Sequence, residues 1–147
     1  MSSITLRMIE LENYGRFYDT AKLILKDRIT AVVLGASCGK STFASALEFL
    51  TEAVLEGNIK NSELNICRTF VDKPKNFVRI EILLEISDAT HSGVYRYGIS
   101  VTDIGVLSEY LWKENTGRRI FYRHKNDIDL SDLNDIALGH IKCSLIA

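Results

Sequence analysis

The residues with the clearest chemistry are Leu34-Gly35-Ala36-Ser37-Cys38-Gly39-Lys40-Ser41-Thr42. Glycines followed by Gly-Lys-Ser-Thr, after a β-run and before a helical stretch, form the pattern that wraps backbone around phosphate. The N–H groups at a helix start and the positive end of its dipole make a nest for an anion. In that arrangement Lys40 reaches the β- and γ-phosphates, Ser41 places its hydroxyl on Mg²⁺, and Thr42 faces the α-phosphate. Gly35, Ala36, Ser37, Cys38 and Gly39 supply the loop. The spacing departs from the usual one, because only three residues separate Gly35 from Gly39. Either the loop is one residue short, or Leu34 stands where the first glycine belongs. A leucine there costs roughly 1–2 kcal/mol if the position needs positive φ. The same residues would also serve as a plain glycine turn capping a helix.

The elements around this segment set its context. Residues 4 to 12 alternate apolar and polar. Ile4, Leu6 and Met8 share one face and Ile9 and Leu11 the other, so a strand is expected, with a bulge where the phase changes. Residues 13 to 20 read as a turn, 21 to 26 as a short strand, and 29 to 34 as a strand buried on both faces. From 41 to 55 the period becomes helical, with Phe43, Ala46, Leu47, Leu50 and Val54 on one stripe. Residues 57 to 76 are polar and read as a long surface loop. Four β-rich runs follow, at 77–86, 94–101, 105–114 and 118–124. Turn signals separate them, which predicts an antiparallel meander. Residues 127 to 139 read as a short capped helix. Four parts result: 1–56 with strands, phosphate loop and helix; loop 57–76; β-subdomain 77–126; and a final segment 127–147.

The chain has 147 residues, 46% hydrophobic and 25% charged, with net charge −1. These values suit a globular domain and do not favour a dedicated polyanion binder. No apolar run is long enough to cross a membrane, and the start lacks a secretory signal. Scattered Cys38, Cys67 and Cys143 fit a reducing cytoplasm.

With these residues placed, a resemblance emerges. IELENYGRF at 9–17 followed by LILKDRITAVVLGASCGKSTFASALEFL is similar to the N-terminus of ABC-type ATPases of the SMC/RecF/OLD kind. More narrowly, it resembles AAA-family predicted ATPases of phage-defence and abortive-infection systems. VYRYGISVTDIGVLSEYLWKENTGRRIFYRH at 94–124 is similar to the same group. The resemblance implies an α/β fold of α+β character. It would be the N-terminal lobe of a P-loop NTPase, with a mixed sheet, one P-loop helix and an antiparallel meander. It implies ATP and Mg²⁺ as ligands, with Arg16 in a turn that approaches the nucleotide. It also implies a homodimer, or association with a larger ATPase or effector subunit. The family's signature motif and its Walker B strand ending in Asp-Glu do not occur in these residues. The expectation is therefore a truncated lobe that binds ATP with little hydrolysis of its own and no catalytic residue. Glu85, Asp88 and Glu114 are simpler as turn or edge charges than as a Walker B acid.

Other readings stay open. The shortened loop and abrupt end also suit a non-catalytic interaction module that recruits a protein partner. A small phosphate-loop kinase or GTPase fits less well, since those continue with alternating β/α units. Cys38 beside Lys40 is either a small loop residue or a redox-sensitive thiol. Arg118, Arg119, Arg123, His124 and Lys125, interleaved with Phe121 and Tyr122, are either an alternating half-exposed strand or a local nucleic-acid contact. In the alternating reading Arg118, Ile120 and Tyr122 point one way and Arg119, Phe121 and Arg123 the other. Tyr110 and Trp112 share a face and are expected to pack. His91, His124 and His140 lack metal-ligand spacing.

Overall fold

Strand β1 (Ser3–Glu12) is where the alternation at the chain start becomes structure. The computed structural model describes residues 3–26, 39–56, 66, 75–89 and 92–129. The register along β1 shifts between Leu6 and Met8, so the bulge falls at Arg7, earlier than the phase change suggests. One extra residue there flips the pleat. As a result Ile4 and Leu6 lie on the same face as Ile9 and Leu11, and Met8 moves to the opposite face with Glu10. All four apolar residues of that face are thereby aligned. Arg7 itself is tied down by a bond from Nε to Glu85 Oε2 at 2.6 Å and from Nη1 to the Lys26 carbonyl at 2.9 Å.

Among the described residues, β1 sits inside a seven-stranded sheet. Its neighbours are β2 (Ala21–Ile24) on one side and β3 (Phe77–Ser87) on the other. The sheet continues through β4 (Gly93–Thr102), β5 (Gly105–Lys113), β6 (Arg118–His124) and β7 (Asp127–Asp129). The order is β2-β1-β3-β4-β5-β6-β7, and every pairing among the described residues is antiparallel. The sheet expected to be mixed is antiparallel among the described residues. The meander is present, but β1 and β2 extend it into one sheet. The central strand expected at 29–34 lies outside the described residues. Residues 127–129, expected to open a short helix, instead pair with β6, where a tight turn with Lys125 at φ 53° reverses the chain.

Helix α1 (Lys40–Glu56) covers one face. Phe43, Ala46, Phe49 and Leu50 pack on Ile9, Leu11, Tyr14, Val78, Ile80, Ile99 and Val101. Each large apolar side chain fully buried this way contributes about 1.5–3 kcal/mol. Val54, expected on this stripe, is 37% exposed, and Ala53 takes its place facing inward. The i, i+3, i+4 spacing of Phe43, Ala46, Phe49, Leu50 and Ala53 explains the exchange.

The opposite face carries a lattice of charge. Glu10 meets Lys22 at 2.9 Å and Arg79 at 3.0 Å. Glu12 meets Arg79 at 2.9 Å and Lys75 at 2.8 Å. Glu81 is paired with Arg96 and accepts the Tyr110 hydroxyl, while Arg96 also holds Glu114 at 2.6 Å. Buried carboxylates are tolerable only with such multiple partners. Tyr110 reaches Glu81 by lying across Gly98, its cross-strand partner, where any Cβ would collide with the phenol ring. Further along the sheet, Ile120 is skipped in the β5–β6 register. The simple alternation expected over 118–123 therefore breaks: Arg119 sides with Tyr122, its guanidinium 5.7 Å from that ring, rather than with Phe121 and Arg123.

These networks set the pH range of stability. Burial raises the Glu12 carboxyl, but the bonds from Lys75 and Arg79 outweigh it and hold the group below its usual 4.5. Its contribution is present above that pH and is lost as pH falls below it. Burial, reinforced by Glu81, pushes the Tyr110 phenol up from 10.0 to about 12. Its contribution is complete below pH 10 and is lost as pH climbs towards 12. Urea denaturation at several pH values should show both flanks. Tyr110→Phe should reduce the alkaline loss and leave the acid flank in place. An unchanged alkaline flank in Tyr110→Phe contradicts this account.

Candidate functional site

Register places the site at one end of the sheet. Glu12 pairs with Arg79 and Phe77 with Thr102, so β1 ends where β3 begins. There the chain enters the turn Asn13–Tyr18. Asn13 is fully buried at φ 55°, a left-handed conformation that asparagine tolerates better than most residues. Its Nδ2 donates to the carbonyls of Lys75 at 3.0 Å and Phe77 at 2.6 Å. Reciprocal backbone bonds of 2.9 Å between Tyr14 and Phe17 close a tight hairpin with Gly15 and Arg16 at its tip. Lys75 then clamps the turn from the side, bonding Glu12 and lying 4.5 Å from the Tyr18 ring centroid.

Two aromatic contacts seat helix α1 on this turn. Tyr14 meets Phe49 at 6.2 Å between centroids, and Phe17 meets Phe43 at 5.3 Å. Burial raises the pKa of the Tyr14 phenol, partly countered by its hydrogen bond with Ser45. Gly39, immediately before the helix, has φ 89°. A Cβ on it would lie 2.5 Å from Phe17 Cζ. Glycine is thus needed twice, for its backbone angle and for the ring beside it.

Lys40, Ser41 and Thr42 form the first turn of α1, with Lys40 and Ser41 exposed and Thr42 7% exposed. Thr42 N–H donates to the Gly39 carbonyl at 3.1 Å. A depression of about 400 Å³ opens beside them, lined by Gly15, Arg16, Ser41, Thr42 and Ser45. The turn at 13–18 and the helix entrance, separate in sequence, therefore form one concave surface. Of the expected site residues, Arg16, Ser41 and Thr42 line it, and Gly39 and Lys40 directly precede Ser41 at the helix entrance. Gly35, Ala36, Ser37 and Cys38 lie outside the described residues.

Sequence reasoning missed Gly15 and Ser45. Ser45 is one helical turn beyond Ser41, so the i, i+4 spacing was its only signal. Its hydroxyl donates to the Thr42 carbonyl at 3.1 Å.

The remaining candidates lie elsewhere. Glu85 pairs with Arg7 and Glu114 with Arg96, while Asp88 accepts the Ala89 N–H at 2.5 Å. Within the basic cluster, Arg119 bonds Asp129 at 2.5 Å and Arg123 forms an ion pair with Glu109 at 2.8 Å. His124 stacks on Tyr122 at 6.5 Å, and Trp112 meets Tyr110 edge-on at 6.0 Å. Among the described residues, no cluster of His, Cys, Asp and Glu could hold a metal ion, and no helix is long and apolar enough to cross a membrane. His91 and His140, like Cys67 and Cys143, lie outside the described residues.

No protein-family model and no curated protein matches the chain. Among solved structures, one that matches comes from work described as the structural biochemistry of ATP-driven dimerization and DNA-stimulated activation of SMC ATPases. The TM-score is 0.54 at 19% identity, over 78% of this chain and 70% of that one. At that identity the likeness is one of fold: the chain has an SMC-ATPase-like fold.

The double demand on Gly39 is testable. Gly39→Ala should destabilise the fold by at least about 1–2 kcal/mol from backbone strain alone. Adding Phe17→Ala should recover the steric share and leave the strain. In urea denaturation the two changes should therefore be clearly non-additive; simple additivity contradicts the contact.

Proposed function

We propose that the chain is an ATP-binding lobe of an SMC-like ATPase, holding nucleotide phosphates and Mg²⁺ at the entrance of α1. One observation carries this reading. The first turn of α1 has no acidic residue, opens on Lys40, and borders a depression that also holds Arg16. A lysine at the positive end of a helix dipole costs a few tenths of a kcal/mol on its own. Phosphate bound there reverses the sign, because it meets the dipole, Lys40 and Arg16 together.

Each residue has a role in this reading. The backbone of Gly35, Ala36, Ser37, Cys38 and Gly39 wraps the phosphates. Lys40 contacts the β- and γ-phosphates, Thr42 the α-phosphate, and Arg16 a phosphate or the base. Ser41, an exposed residue lining the depression, would hold Mg²⁺ through its hydroxyl, and the ion would neutralise phosphate charge. The solved SMC structure concerns ATP-driven dimerization. By analogy, a second copy or a larger ATPase subunit would complete the site around ATP. With neither a Walker B strand nor a signature motif in these residues, this stretch binds ATP without sustained turnover. The narrower likeness to phage-defence ATPases belongs to the same proposal.

The competing reading is an interaction module without nucleotide, favoured by the atypical three-residue spacing between Gly35 and Gly39. Titration with labelled ATP and Mg²⁺ separates the two. Binding should be saturable and weakened about tenfold or more by Lys40→Ala, the scale of one lost charged hydrogen bond. No binding at millimolar ATP favours the module. Sustained phosphate release by the purified chain contradicts the absence of turnover.

A further inference from the structure

We propose that Phe17 is a positioning residue for the nucleotide site: through its contact with Gly39 it sets where Arg16 stands relative to the helix entrance. The inference rests on the nucleotide reading above and adds a coupling between two segments of that site.

Three observations join to carry it. First, the ring of Phe17 is wedged at the helix entrance, against Gly39 on one side and Phe43 on the other. Second, the backbone of Phe17 is locked to Tyr14 by paired 2.9 Å bonds, and Asn13 N–H adds a 3.2 Å bond to the Tyr18 carbonyl. Only Gly15 and Arg16 stand between those anchors, so the position of the tip is tied to that of Phe17 through a short closed hairpin. Third, that tip shares its depression with Ser41, Thr42 and Ser45 of α1. Phe17 therefore acts as a spacer between the arginine and the first turn of the helix, and it need not touch the ligand.

A spacer makes a specific thermodynamic signature. If Phe17 holds Arg16 in place, the value of Arg16 to binding depends on Phe17, and the two substitutions are coupled. A side chain that only stabilises the fold lowers stability without changing what Arg16 is worth.

The test is a double-mutant cycle read by titration of Mg²⁺–ATP into the unmodified chain, Arg16→Ala, Phe17→Ala and the double variant. Urea denaturation of each supplies the folded fraction. Arg16→Ala should weaken binding about tenfold in the unmodified background. In the Phe17→Ala background the same change should weaken it less than about twofold. Phe17→Leu keeps an apolar spacer of smaller reach; it should give an intermediate factor, and it carries the cycle if Phe17→Ala does not fold. An equal factor for Arg16→Ala in both backgrounds overturns the positioning role while leaving the nucleotide reading intact. No effect of Arg16→Ala in the unmodified chain overturns it too. Absence of Mg²⁺–ATP binding, or binding indifferent to Lys40→Ala, defeats the nucleotide reading itself and the coupling with it.

Discussion

The turn at residues 13–18 is the constraint on which the described structure depends. It is the corner where the sheet and the helix are fastened together. Asn13 satisfies two carbonyls at the entry to β3, so β1 and β3 are locked at the end nearest the site. Tyr14 and Phe17 supply the aromatic surface on which Phe49 and Phe43 rest. Remove that surface and α1 keeps its apolar stripe but loses its fixed position. The concave surface at 15–16 and 41–45 exists only because both sides are held to the same turn.

The two sheet faces are stabilised by different means. Under α1 the contribution is apolar burial, with Leu11 and Ala46 fully enclosed. The far face relies on pairing: Glu81 is 5% exposed yet meets Arg96 and Tyr110 at once. A carboxylate so placed is costly when any partner is lost. The bulges at Arg7 and Ile120 serve the same end, since each re-aims side chains to complete one face. Without the Arg7 bulge, either Ile4 and Leu6 or Ile9 and Leu11 would point into the charged lattice.

Much of this was legible in the sequence. The helical period at 41–55 returns as α1, and the runs at 77–86, 94–101, 105–114 and 118–124 return as β3 to β6. Local patterning suffices for such elements because each side chain reports its own burial. Three features were not legible, and each depends on partners distant in the chain. β1 joins the meander because Ile9 and Leu11 find Ile82 and Ile80 across the sheet, a pairing no local pattern announces. Residues 127–129 follow β6 because a tight turn there offers an open strand edge, outweighing the helical look of the segment. Gly15, Ser45 and the contact of Phe17 with Gly39 emerge only once α1 is seated on the turn. The position of Lys40, Ser41 and Thr42 at the start of a helix, by contrast, could be read from their order, because the helical period that follows them is local.

The central claim is that the helix entrance and the 14–17 hairpin form one phosphate-binding surface. Amide chemical shifts of the isotopically labelled chain test it most directly, recorded while Mg²⁺–ATP is added. The account predicts saturable shifts with one common midpoint at Gly15, Arg16, Gly39, Lys40, Ser41 and Thr42, with β5 to β7 largely unmoved. Shifts confined to other parts of the sheet, or separate midpoints for the hairpin and the helix entrance, would contradict it.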